Sequence, residues 1–279
     1  MNLKTLLVCL TTPDHADTLM KLAVPIARKH DAHLIALHTV EALMIYPGIA
    51  MHIPEPAFAA FSESQKEEAL KIKASFSKHT ENESFPSEFR LVQAQAISAN
   101  ERMVESARAA DLVIMAHADA MSDRHDQRHA QAQVIRESGR PVIVVPLGYD
   151  GPEIGANILV GWSDTREAAR AAHDLLTVAN KDAAITVLRV GNAPKDALKD
   201  FDGIDLVEMF ARHGLKPTLE HRNPLGADIA KVLNDVAFEK GSDLIVTGAF
   251  GHSKAYDFVI GATTYALLRD SKLPVMFSK

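Results

Sequence analysis

Three glycines near the end of the chain stand where an anion could be held. They are Gly248, Gly251 and Gly261, with His252 between them and Ala262-Thr263-Thr264 directly after. Ahead of them runs Asp243-Leu244-Ile245-Val246-Thr247, a short β-branched apolar stretch that reads as a buried strand. Behind them, Tyr265-Ala266-Leu267-Leu268 opens a helical pattern that stops before Pro274. At such a strand-to-helix junction backbone N–H groups are free, and the helix dipole adds to their attraction for phosphate. Without Cβ atoms the backbone can approach an oxyanion closely. The plainer alternative is that the glycines only turn the chain. Three of them in one strand–loop–helix context favour the anion reading.

Other chemistries fit less well. No lysine follows the last glycine, so the segment is not a P-loop, and its spacing is not the Rossmann G-x-G-x-x-G. Without a P-loop lysine or an obvious magnesium carboxylate, fast phosphoryl transfer is not expected. Ser163, Asp164 and His252 could converge at strand ends, but no G-x-S-x-G elbow accompanies them, and no catalytic residue is assigned. His125 and His129 lie four apart, with His117, Asp119, Asp123 and Asp126 near them in sequence. That spacing puts two imidazoles on one helical face, as zinc would need. A solvated polar face explains it as well, and no metal site is expected.

The elements that would carry the glycines form a series. Residues 3–10, 33–40, 89–93, 111–116 and 142–145 read as strands, and 14–30, 61–79, 99–109 and 125–137 as helices. Pro25 should kink the first helix. Residues 41–59 hold Pro47, Gly48, Pro54 and Pro56 and read as an irregular excursion. Strands alternating with helices imply a parallel sheet covered on both faces. The stretch Gly148-Tyr149-Asp150-Gly151-Pro152-Glu153 then reads as a linker, and the same order begins again.

The repetition is visible in four places. Leu7-Val8 matches Leu159-Val160, and Asp31-Ala32-His33-Leu34 matches Asp182-Ala183-Ala184-Ile185. Asp111-Leu112-Val113-Ile114 matches Asp243-Leu244-Ile245-Val246, and Pro141-Val142-Ile143 matches Pro274-Val275-Met276. The offset drops by about 20 residues between the second and third matches, which the excursion at 41–59 accounts for. The expected organisation is therefore two copies of one α/β domain, residues 1–147 and 155–279.

Bulk properties agree with two soluble globular units. The 279 residues exceed the common domain size of about 100–150. Composition is 47% hydrophobic and 24% charged, with a net charge of −6. That charge argues against nucleic acid or anionic membrane as the main partner. The lone Cys9, in an apolar run, is expected to be buried and inert, and it permits no internal disulfide. No signal-peptide pattern and no run of about 18 apolar residues appears, so a cytoplasmic location is expected.

Each copy resembles a universal stress protein (UspA) domain. The likeness rests on the initial strand Ile158-Leu159-Val160, a small polar turn after it, a closing strand that begins Pro-Val, and the nucleotide loop spaced as Gly248, Gly251 and Gly261. It spans essentially the whole chain. The resemblance implies two tandem, doubly wound, five-stranded parallel-sheet domains, Rossmann-like and similar to adenine nucleotide alpha hydrolases. These would pack as a pseudo-dimer through the closing strands Val142–Val145 and Val275–Phe277, with a homodimer as a further option. It implies ATP as ligand, one per chain, with or without Mg. Gly248, Gly251, His252, Gly261, Ala262, Thr263 and Thr264 would line the triphosphate. Trp162, Ser163, Asp164 and Thr165 would meet adenine and ribose, and the Val190 backbone would approach the base. The implied role is a stress-response sensor or switch; a slow nucleotide hydrolase and a non-binding partner protein are the alternatives.

The chain departs from the family pattern in three places. Ala262 stands where a Ser or Thr is usual, removing a hydroxyl worth about 0.5–1.5 kcal/mol. The family's adenine-contacting acid falls on Ser163, with Asp164 one position later. In the first copy, Ala116-His117-Ala118-Asp119 replaces the first two glycines, and no ATP is expected there.

Overall fold

The computed structural model describes residues 3–41, 55–94, 98–117, 127–191, 201–251 and 261–279. The strands are β1 (Thr5–Cys9), β2 (His33–Glu41), β3 (Ser87–Ala94), β4 (Leu112–Ala116), β5 (Val142–Val145), β6 (Asn157–Trp162), β7 (Ala184–Val190), β8 (Lys216–Arg222), β9 (Leu244–Gly248) and β10 (Val275–Ser278). The helices are α1 (Pro13–His30), α2 (Glu55–Thr80), α3 (Ala99–Ala107), α4 (Gln127–Glu137), α5 (Arg166–Asp174), α6 (Phe201–Arg212), α7 (Ile229–Glu239) and α8 (Ala262–Asp270). All ten strands form one sheet in the order β3-β2-β1-β4-β5-β10-β9-β6-β7-β8. Pairing is parallel except at the centre, where β5 and β10 run antiparallel.

Alternation along each strand sorts the core into two faces. Leu6 and Val8 of β1, Ile114 of β4 and Val160 of β6 pack with Ala23 of α1, Ile72 of α2, Ala171 of α5 and Phe210 of α6. Their neighbours Leu7, Val113 and Leu159 face Val104 of α3, Ile135 of α4, Val236 of α7 and Leu267 of α8. Matching helices of the two halves thus share a face. With an antiparallel central pair, this relates the halves by a pseudo-two-fold axis normal to the sheet. The carboxyl ends of the strands consequently point to opposite edges.

The repeated Asp-Leu turns out to have a structural cause. Asp243 accepts backbone N–H bonds from Gly155, Ala156 and Asn157, each at 2.8 Å. Asp111 does the same for Lys4 and Thr5, at 2.8 and 3.0 Å. Each carboxylate ties the start of its half's first strand to β4 or β9. Polar contacts also join the halves: Lys29 Nζ donates to the Val178 and Ala179 carbonyls at 3.2 and 2.7 Å. His30 Nε2 donates to Thr177 O at 2.8 Å, and Arg170 to Gly139 O at 2.7 Å.

Some boundaries differ from the sequence reading. Helix α2 begins at Glu55, inside the expected excursion, because a proline in the first helical turn sacrifices an N–H that has no partner anyway. The rest of the excursion, residues 42–54, lies outside the described residues. Helix α8 starts at Ala262, three residues earlier than its apolar pattern suggested. Cys9 is fully buried, and burial pushes its thiol up to about 12. Among the described residues no helix is long and apolar enough to cross a membrane.

Asp243→Ala should lower stability by about 2–3 kcal/mol, since three N–H groups, two of them half-buried, lose a charged acceptor. Asp111→Ala, with two such bonds, should cost less, and urea unfolding of both variants measures the difference.

Candidate functional site

The glycine segment lies where β9 gives way to α8, at the carboxyl edge of the second half. In an open parallel α/β sheet this edge is where ligands bind. The structure brings Trp162, Ser163, Thr165, Val190, Gly248, Gly251, Gly261, Ala262, Thr263 and Thr264 around one cleft of about 250 Å³. His252 lies outside the described residues, as do Asp119 and His125.

Two kinds of group line the cleft. On the β6–β7 side the wall is apolar: Leu188 and Val190 from β7, with Ile229 and Leu233 from α7. Ile229 is 47% exposed, unusual for a residue facing inward to a cleft. Trp162 packs partly against the core while also bordering the cleft. The other side is backbone. Gly261 caps α8 with φ +96°, in the left-handed region, and supplies no side chain to the first helical N–H groups. Among the described residues no side chain caps those N–H groups, which are open to water or a ligand. Ala262 is exposed and Thr263 half-buried, while Thr264 is buried, its hydroxyl accepting the Phe250 N–H at 3.3 Å. Thr264 thus braces the loop.

The hydroxyls and acid of the first turn are already engaged. Thr165 caps α5 by accepting the Ala168 N–H at 3.2 Å, and Ser163 Oγ lies 3.3 Å from Thr165 Oγ1. Asp164 stands outside the cleft lining. Its carboxylate pairs with Arg189 at 2.5 Å, with its side chain 69% exposed.

Sequence reasoning missed two residues that shape the loop. The first is Glu167, in the opening turn of α5. A Cβ on Gly248 would sit 2.5 Å from the Ala168 backbone nitrogen, and one on Gly251 would sit 2.6 Å from Glu167 Oε2. Both glycines therefore admit the first turn of α5 beneath the loop. Glu167 is 7% exposed and accepts from Arg166 Nε at 2.7 Å, so a buried carboxylate underlies the loop. Only its place just after a strand-ending turn hinted at this.

The second is Arg136, on α4 of the other half. Its guanidinium lies 4.1 Å from the centroid of the Phe250 ring and 5.6 Å from that of Tyr265. Its Nη2 also donates to Tyr265 Oη at 2.9 Å. Phe250 and Tyr265 meet edge to face at 5.6 Å, and Phe250 holds φ +53°, which a non-glycine residue seldom adopts. The first half thus clamps the glycine loop of the second from behind. No local pattern signals a contact between residues 114 apart in sequence.

Among the described residues no group of three or more metal-ligating side chains occurs. The family model for the universal stress protein family matches the chain twice, over residues 2–146 and 156–279. A universal stress protein from Archaeoglobus fulgidus is similar along 99% of this chain and 96% of its own, with 16% identity and a TM-score of 0.71. A putative universal stress protein from Pseudomonas aeruginosa is similar over 99% of this chain and 93% of its own, with 14% identity and a TM-score of 0.61. At these identities the two structures speak for the fold. No curated protein matches.

Removing the clamp with Arg136→Ala should cost about 1–2 kcal/mol. A double-mutant cycle with Phe250→Leu should return a coupling energy of about 0.5–1 kcal/mol. Urea unfolding of the four proteins measures both.

Proposed function

Because the chain belongs to the universal stress protein family, we propose that it is a stress-response protein whose second half, residues 155–279, binds ATP, one molecule per chain, as a sensor or switch. The observation that carries this is the juxtaposition in one cleft of an apolar slot and an uncapped helix start. Leu188, Val190, Ile229 and Trp162 offer a surface for a flat base, and the N–H groups after Gly261 offer one for phosphate. No nucleophile–base pair adjoins them among the described residues, so binding without fast turnover suits the site. Glu167 lies under the loop with its carboxylate paired to Arg166.

Glu167 also favours a second reading, in which the glycines serve packing alone and the protein acts through a partner. Close approach of α5 is by itself a sufficient reason for Gly248 and Gly251. Changing either glycine would therefore disturb folding and binding together, and Ala262 is the better probe. It is exposed in the first turn of α8, where a carboxylate is favoured by the helix dipole.

Ala262→Asp should fold normally and bind ATP about 100-fold more weakly, through repulsion of the phosphates. Ala262→Ser should restore a donor and tighten binding by about 2–10-fold. Isothermal titration calorimetry reads both. Binding unchanged in Ala262→Asp would sink the site assignment, and no binding of millimolar ATP by the parent protein would leave the partner reading.

A further inference from the structure

An open sheet ends in two edge strands, and here the two are unlike. β3 closes one end of the ten-stranded sheet and β8 the other. In a parallel ladder alternate residues of a strand bond to its neighbour, and those between them turn their N–H and C=O outward. Leu34 N–H donates to Pro86 O at 2.9 Å, and the pairing of Leu34 with Ser87 carries that alternation along β3. The even-numbered residues of β3 therefore bond to β2, while Ser87, Phe89, Leu91 and Gln93 present their backbone groups to the outside. On β8 the Lys216 N–H donates to Ala183 O at 2.8 Å, and Arg222 O accepts the Gly191 N–H at 2.9 Å. The outward residues there are Pro217, Leu219 and His221.

β8 is built against further pairing. Pro217 has no N–H to offer at an outward position. Beside it Arg222 bonds Glu220 and Glu239 at 2.5 and 2.7 Å, and Lys240 reaches Glu220 at 2.6 Å, so charge lines this edge. β3 lacks the proline. Its eight residues, Ser87–Ala94, contain none, and Ser87, Leu91 and Gln93 are exposed, Leu91 to 55%. α2 bears on α1 and β2 as well as β3, and α3 on β1 and β2, so both helices lie inboard of the edge. Among the described residues no hydrogen bond meets the outward backbone groups of β3. An edge of that length is a template for another strand.

The side chains select which strand fits. Glu88 and Arg90 share one face of β3 and pair with each other. On the opposite face Phe89, its ring centroid 5.9 Å from that of Phe76, stands next to Leu91. Let a second copy of β3 run antiparallel, with Phe89 opposite the partner's Phe89. The outward groups of Phe89 then bond their own counterparts, and those of Ser87 and Leu91 bond each other. Glu88 falls opposite the partner's Arg90, and Arg90 opposite the partner's Glu88. Leu91 gains a diagonal contact with the partner's Phe89. The neighbouring register that centres on Arg90 instead sets two like charges face to face.

We propose that β3 is a self-association surface, through which two copies of the chain join edge to edge, antiparallel, with Phe89 at the two-fold axis. The pairing rests on the sheet alone and stands whether or not the glycine cleft binds ATP.

Sedimentation velocity on the full chain, from about 1 µM to about 1 mM, should show a reversible monomer–dimer equilibrium. Leu91→Pro removes an outward N–H and leaves every bond to β2 in place, so it should abolish the dimer with the thermal midpoint little changed. Should the proline disturb folding, Leu91→Lys puts a charge at the same point and should have the same effect on association. Arg90→Glu sets like charges opposite each other and should weaken the dimer about tenfold. Adding Glu88→Arg to it should restore the parent affinity. A chain that stays monomeric over the whole range overturns the proposal, as does a dimer indifferent to the Leu91 variants or to Arg90→Glu. A monomer that takes up an extended peptide at this edge assigns β3 to a foreign strand and overturns the self-pairing too.

Discussion

The antiparallel pairing of Val142, Ile143 and Val144 with Phe277, Met276 and Val275 is what makes ten strands one sheet. All six residues are fully buried. Either closing strand alone would be an exposed apolar edge of β-branched and aromatic residues, a surface prone to pair with other chains. Joined, they remove that liability and extend both faces of the core across the seam. They also set the geometry of everything functional. Because the pair is antiparallel, the two carboxyl edges face opposite ways, and each lies beside the amino-terminal edge of the other half. Arg136 can therefore stand behind the glycine loop of the second copy.

The glycine loop illustrates how one local requirement is met from several directions. Its backbone is drawn down onto the first turn of α5 at Gly248 and Gly251, turned at Gly261, braced by Thr264 and clamped from behind through Phe250. Phe250 is held at positive φ, a conformation that costs on the order of 1 kcal/mol or more and persists only where the surroundings over-determine it. Here they do, with Arg136 over the face of the ring and Tyr265 meeting it edge to face. The outcome is that the described ends of the loop, at Gly248–Gly251 and Gly261–Thr264, are held in place by packing and hydrogen bonds.

Much of this could be read from the sequence, and the remainder has a physical reason for being hidden. Repeated Asp-Leu and Pro-Val pairs disclosed two copies, and apolar runs disclosed the strands, because burial on both faces of a parallel sheet leaves a local signature. The three glycines were legible by spacing. Their neighbours were not. Glu167 looks like an ordinary surface acid in its own helix, and only the approach of β9 makes it a buried one. Arg136 looks like a helix-ending cation, and only the seam brings it to Phe250. Pro56 reads as a breaker, whereas a helix start accepts it, so the sequence pattern places the start of α2 too late. Asp164 was legible as an acid just after the first strand of its half, but its choice of Arg189 as partner depends on the register of β6 against β7.

The clamp of Arg136 on Phe250 and Tyr265 needs no mirror image, because the seam lies within one polypeptide. In a dimer of identical chains every contact across the two-fold is made twice, so the surface must be complementary to itself. A ring added on one side appears on the other, and so does a cavity. Covalent fusion lifts that obligation. One side of the axis can carry aromatic rings around a glycine loop while the other goes without them. A symmetric pair of subunits is confined to two copies of one surface, whereas the two sides of this seam are free to differ.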